Sequence, residues 1–372
     1  MDIDRAVTLT QDRLAQEGDT MGELLGHFRN RVSPVLIGDP EWDRILECAG
    51  KLPITMGALP FGFELPLHAL RPEADFGASV AGGTRSAAFF RERARTGGTD
   101  DTARAITRLF RRTDAEDSPL RAIVGRKLML EYDIGAAPEG ERGLPGMFLR
   151  PGERPIMGAR GQVNDVGLVV DALVSCVGWK LSDAERENVE RAYLAQPEDT
   201  RMDSYGVFPS RSRAIRLAIM GFKSRREICS YLESAGWPGR ISAVDSVISR
   251  FQERVNIVRS GANLDVREEG LGPTLGLTLI VKQRYTKDSR YWLDGLTDWD
   301  PFLEALSHED LVVPEKLRAL AGWVSRPTTL FGKSGRFVLL RGIHHIKLVI
   351  SGNQLRKAKA YVFMVLSAAG PS

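Results

Sequence analysis

The chain has 372 residues, 43% hydrophobic and 27% charged, which is ample for a sizeable core. Its 51 basic and 48 acidic residues leave a net charge of +3, too balanced for a general nucleic-acid or membrane-surface binder. Cys48, Cys176 and Cys229 lie far apart, which excludes a disulfide framework or a CxxC zinc pair and suggests buried free thiols in a reducing compartment. The N-terminus is charged and lacks an apolar signal core. The longest apolar run, Tyr361 to Leu366, is too short to cross a bilayer, so a cytoplasmic location is expected.

Residues 1–54 are expected to form a helical segment that packs on the rest, residues 55–366 one domain, and 367–372 a tail. Within the domain the organising signal is period-two alternation in paired runs. Phe61, Phe63, Leu65 and Leu67 share one strand face, with Glu64 and His68 opposite, and Asp75 to Val80 supplies the partner. Leu128, Leu130, Tyr132 and Ile134 oppose Lys127, Met129, Glu131 and Asp133, with a return strand near Gly146 to Arg150. A third pair covers Gly206 to Pro209 and Arg213 to Met220, where only Arg216 is placed inward with conviction. A fourth covers Ala262 to Arg267 and Thr274 to Lys282, with Gly270 to Pro273 as its turn. A fifth, His344 to Ile350 and Arg356 to Phe363, is joined by Ser351 to Gln354. Helical patterns separate the pairs: Thr84 to Arg112, Asp165 to Ala195, Arg225 to Ser234, Ser242 to Val258, Trp299 to Leu306 and Pro314 to Ser325. Ser182 and Glu185 form a capping-box signature, and Pro314 suits a first helical turn.

A strand sends successive side chains to opposite faces, so every run has one apolar and one polar face. An open sheet of about ten strands would leave two edges to protect. Closure removes the edges and leaves room for a ligand. The expected fold is therefore α+β: a closed antiparallel barrel of about ten strands in repeated αββα units, helices outside. Lys127, Arg216, Arg267, Lys282, His345, Lys347, Lys357 and Lys359 would then point into one chamber, among Glu64, Asp75, Glu131, Asp133 and Asp265.

The repeated αββα units, Lys359-Ala-Tyr361 on a strand and Glu64 in a Phe-Glu-Leu strand resemble the aromatic prenyltransferases of the αββα barrel, including their indole and cyclic-peptide branches. The likeness runs from residue 55 to 365, and Lys-x-Tyr occurs once. It implies a transferase of natural-product biosynthesis that moves an allylic prenyl group from its diphosphate to an aromatic molecule or a peptide side chain. It implies that Glu64 holds the acceptor and that Lys359 and Tyr361 contact the diphosphate. Facing direction adds Arg216, Lys282, Lys347 and Lys357 to them. No cofactor is implied beyond Mg2+ accompanying the prenyl diphosphate, and neither nucleic acid nor membrane is an expected partner. Two other functions stay open on the same barrel: a non-catalytic peptide- or anion-binding protein, and a metal-assisted enzyme acting on a peptide.

Glu64, Glu131 and His345 are the acid–base candidates. Each has a plainer alternative: an ion pair for Glu64, salt bridges to nearby lysines for Glu131 and Asp133, an ordinary polar lining for His345. His344 and His345 are adjacent, so a regular strand would place them on opposite faces. Gly332-Lys-Ser334 lacks the earlier glycine of a phosphate loop, and Asp100 reads as a helix cap.

Overall fold

The structure, a computed structural model, describes residues 3–96, 100–135, 143–158, 161–281, 283–284, 296–297, 299–309, 311–324 and 327–369. Its strands are β1 (Phe61–Pro66), β2 (Asp75–Ala81), β3 (Val124–Tyr132), β4 (Gly146–Pro151), β5 (Arg201–Val207), β6 (Ile215–Phe222), β7 (Ile257–Arg267) and β8 (Gly270–Val281). A two-residue pair follows, β9 (Gln283–Arg284) with β10 (Leu296–Thr297), and then β11 (Thr328–Gly332), β12 (Gly335–Ser351) and β13 (Gln354–Ala368). β1 to β8 pair in chain order, β8 pairs with β12, β12 with β13, and β13 with β1. All these pairings are antiparallel, so β1–β8, β12 and β13 close into a barrel of ten strands. β11 pairs with the first half of β12, outside the ring.

The helices are α1 (Ile3–Leu14), α2 (Met21–Gly26), α3 (Asp39–Ala49), α4 (Arg85–Thr96), α5 (Asp101–Asp114), α6 (Leu120–Ile123), α7 (Val163–Cys176), α8 (Asp183–Leu194), α9 (Arg225–Ser234), α10 (Ile241–Gln252), α11 (Trp299–Ser307) and α12 (Pro314–Ala321). None is long and apolar enough to cross a membrane among the described residues.

The alternation decides which side is oily. Leu128, Leu130, Leu217, Ile219, Leu264, Leu277 and Leu348 face outward and are fully covered, joining the helices in one continuous core. Each such side chain contributes roughly 1.5–3 kcal/mol. Trp42 of α3 meets Phe63 of β1 edge-on, with ring centres 5.6 Å apart, so the N-terminal helices share this core. Phe148, Phe208, Ala218, Leu340, Phe363 and Val365 are buried but stand apart from it, on the inner side of the wall.

Local chemistry corrects several expected boundaries. The two long helical patterns are each split. Asp100 caps α5 through the amide of Ala103, and Gly178, at φ +82°, ends the run before the Ser182–Glu185 capping box starts α8. The expected turn at Gly270 to Pro273 is instead the start of β8, and Glu268–Glu269 make the turn. Pro273 is tolerated there because a register shift interrupts the β7–β8 ladder beside it. The β12–β13 hairpin turns on Gly352 and Asn353, at φ +56° and +63°, the signature of a two-residue type I′ turn.

Candidate active site in the barrel lumen

Strand register places Glu64 of β1 opposite Tyr361 of β13, and Lys347 of β12 opposite Lys359. The four side chains form one hydrogen-bonded chain on the inner wall. Lys347 Nζ donates to Tyr361 Oη at 2.5 Å and sits 4.4 Å from the centre of that ring. The Tyr361 hydroxyl donates to one oxygen of Glu64, and Lys359 Nζ donates to the other. Burial alone would raise the Glu64 pKa, but the charges of Lys359 and Lys347 win and bring it down to about 2. Lys347 is pushed the other way, to about 8, by burial and by nearby Arg216. His345 stacks flat on Tyr361, with ring centres 4.2 Å apart and planes within 11°. Burial and the neighbouring His344 and Lys347 keep His345 neutral.

A second group gathers where the strands meet their hairpins. Arg211, in the β5–β6 turn, bonds Asp133 through Nε at 2.9 Å and Glu131 through Nη2 at 2.9 Å, and lies 3.7 Å from Asp75. Its guanidinium covers Phe208 at 4.3 Å, and Arg216 lies 4.5 Å from the same ring. Arg216 makes a two-pronged pair with Asp265, its neighbour across the β6–β7 ladder. Phe148 meets Phe208 edge-on at 4.9 Å. Gly146 and Gly206 leave space for these rings, because an added Cβ would lie 2.7 Å from Phe208 and 2.5 Å from Phe148 respectively. Burial and Glu64 raise the pKa of Glu131.

The third group breaks the alternation. A bulge between Ile343 and His345 turns both histidines to the same side, with their Nδ1 atoms 2.7 Å apart. His344 keeps an exposed side chain in the lumen, and its limited solvation there, with the charge of Arg150, pushes its pKa down to about 4. Arg150 of β4 pairs with Asp203 of β5, which also senses His344.

Of the residues expected to converge, Glu64, Glu131, His345, Arg216, Lys347, Lys359 and Tyr361 do so. Lys357 points the same way but stands exposed at the hairpin end, as does Arg267. Lys282 lies outside the described residues. The partner of Glu131 and Asp133 is Arg211, not a lysine, and the two histidines share a side. Arg211, Phe208, Phe148, Arg150, Asp203 and His344 were not visible to alternation. They sit in a turn, on a strand without clear periodicity, or at a bulge. Among the described residues no three His, Cys, Asp or Glu side chains group as metal ligands. Gly332 to Ser334 form the β11–β12 turn, whose Lys333 and Ser334 amides grip the carboxylate of Glu17.

No family model and no curated protein matches the chain. Among solved structures it is similar to 5-dimethylallyltryptophan synthase from Streptomyces coelicolor, at 13% identity and a TM-score of 0.49 over 92% of this chain and 97% of that one. The same enzyme in complex with DMASPP and Trp gives 14% identity and a TM-score of 0.49 over 96% and 98%. The 6-dimethylallyltryptophan synthase from Micromonospora olivasterospora, in complex with DMASPP and Trp, gives 13% and 0.47 over 97% of each chain.

Proposed function

We propose that this protein is a prenyltransferase that moves an allylic prenyl group from its diphosphate to an aromatic or peptide side-chain acceptor inside the barrel. The observation that carries this reading is the Lys347–Tyr361–Glu64–Lys359 chain, with Arg216 beside it, on the inner wall of a closed barrel.

Departure of the diphosphate concentrates negative charge on the leaving oxygens. Lys347 and Lys359, on the neighbouring strands β12 and β13, and Arg216, on β6 three strands round the ring from β12, supply preorganised positive charge for it. To bind it, Arg216 would share its fork with Asp265, and Lys359 would share its ammonium with Glu64. Among the aromatic rings here Phe148 would offer its face to the allylic cation, because Phe208 is covered by Arg211 and Arg216 and Tyr361 by His345 and Lys347. The surrounding wall would keep water from quenching it. Mg2+ enters this reading only as a companion of the diphosphate.

The test is incubation with dimethylallyl diphosphate and a panel of aromatic acceptors that includes tryptophan, followed by diphosphate release and product mass. Acceptor-dependent release with a prenylated product is expected. Release no faster than in buffer, with every acceptor, would overturn the reading.

One observation favours a second reading. Arg150, Arg211 and Arg216 each already have a carboxylate partner, so among the described residues the lumen is nearly charge-compensated. A non-catalytic peptide-binding barrel would show this pairing too, and would bind an acceptor peptide without turning over the diphosphate.

A further inference from the structure

We propose that Asp75 on β2, rather than Glu64, is the group that takes the proton from the acceptor. The assignment rests on the prenyl-transfer reading above.

The argument is one of availability. Both oxygens of Glu64 are occupied, one by Lys359 and one by Tyr361, and the side chain is 2% exposed. Arg211 holds one oxygen of Glu131, Arg211 and Ser210 hold both of Asp133, and each side chain is 8% exposed, too enclosed to meet an acceptor. Asp265 is gripped by Arg216 and Asp203 by Arg150. Asp75 is different. Its Oδ1 accepts the backbone N–H of Ile134 at 2.9 Å, which fixes the carboxyl plane. Among the described residues its Oδ2 has only Arg211 within ion-pair range, at 3.7 Å, and the side chain is 22% exposed. It lies directly across the ladder from Glu64, so an acceptor placed against the Glu64–Tyr361–Lys347 chain would have Oδ2 within reach.

The charged groups around Asp75 favour this role. Glu64 faces it from β1, Glu131 and Asp133 from the end of β3, and Arg211 from the β5–β6 turn. Burial and the three carboxylates outweigh the Ile134 hydrogen bond and raise the Asp75 pKa to about 7. A base with a pKa near the working pH is still ionised in part yet binds a proton firmly, whereas Glu64, held at about 2, gives its proton up at once. In the step itself the allylic C–O bond breaks, and its electron pair leaves with the diphosphate. A ring electron pair of the acceptor forms the new bond to the allylic carbon. The proton at the attacked position passes to Asp75 Oδ2, the electron pair that held it restores aromaticity, and Asp75 later loses that proton to water.

The experiment compares wild type, Asp75→Asn, Asp75→Glu and Glu64→Gln across pH 5 to 9 with dimethylallyl diphosphate and ring-deuterated or ordinary tryptophan, or whichever acceptor the wild type turns over. Asparagine can still accept from the Ile134 amide, so the fold is expected to survive. In wild type kcat rises with pH through about 7. In Asp75→Asn that limb disappears, kcat falls about 100-fold or more, and a deuterium isotope effect at the attacked carbon emerges, while KM for the diphosphate changes less than twofold. Asp75→Glu restores the limb and part of kcat. An Asp75→Asn enzyme that keeps both kcat and the limb, or a Glu64→Gln enzyme that alone loses the limb, overturns the assignment while leaving prenyl transfer in place. A wild type that transfers to no acceptor overturns the functional reading, and the assignment with it.

Discussion

At the scale of single residues, the lumen is a place where carboxylates are held far from their ordinary behaviour in opposite directions. Glu64 is held low by its lysines, whereas Asp75 is held high by burial and by Glu64 itself. The second shift has a consequence for stability. Between pH 3.8, where Asp75 ordinarily ionises, and about 7, where it ionises in the folded protein, the folded state keeps a proton that the unfolded chain has lost. The contribution of Asp75 to stability is therefore intact below about pH 4 and is lost as the pH rises through about 7. Asparagine mimics the neutral acid. Asp75→Asn is expected to melt with wild type at pH 4 and above it at pH 8, with a ceiling of about 4 kcal/mol on the gain. Thermal melts at the two pH values check this. Equal melting at pH 8, or a loss there, would show that ionised Asp75 is better accommodated than its surroundings imply.

At the scale of elements, what could be read in advance depended on whether period two held. Lys359 and Tyr361 sit on a strand whose apolar partners, Ala358, Ala360 and Val362, are buried without interruption, so their direction was legible. Glu64 was legible for the same reason, between Phe63 and Leu65. His344 was not, because the bulge beside it adds a residue and resets the count. Asp203 was missed because the expected strand began at Gly206, whereas β5 starts at Arg201 and carries a shift between Met202 and Ser204. Arg211 belongs to a turn, where spacing assigns no face. Closure has its own local requirement that alternation does not express. β1 and β13 come so close at Gly62 that a Cβ there would lie 1.9 Å from the Val362 carbonyl oxygen, a backbone atom that cannot move aside. Gly62→Ala is expected to cost about 3 kcal/mol or more in urea denaturation, at the upper end of what overpacking does. Gly26→Ala, at the end of α2, where a Cβ meets nothing within 4 Å among the described residues, serves as the control and is expected to stay within about 0.5 kcal/mol of wild type. Equal stability of the two variants would mean that β1 can drift from β13 without opening the wall.

At the scale of the whole molecule, the ring is unevenly closed. β12 and β13 pair from Phe337 to Ser351, whereas β12 and β8 pair only from Lys347 to Ile350. The β8–β12 seam is also the junction that a long connection must span, through α11, α12 and β11, instead of a hairpin. A short ladder lacking a local turn is the part of a sheet that opens at least cost. Lys347 lies on this seam, opposite Thr278, and also heads the hydrogen-bonded chain to Tyr361 and Glu64. An anion held between Lys347 of β12 and Arg216 of β6 would join the two sides of the seam, so closing the wall and filling the lumen should reinforce each other. Hydrogen exchange measured by mass spectrometry gives the check, with and without dimethylallyl diphosphate, the donor proposed above. Peptides covering Leu275 to Thr278 and Lys347 to Ile350 are expected to exchange faster than those covering Leu355 to Val362 in the free protein, and to gain more protection than any other barrel segment on ligand addition. Uniform protection across the barrel, or a gain confined to the hairpin end around Arg211, would separate the anion site from the seam.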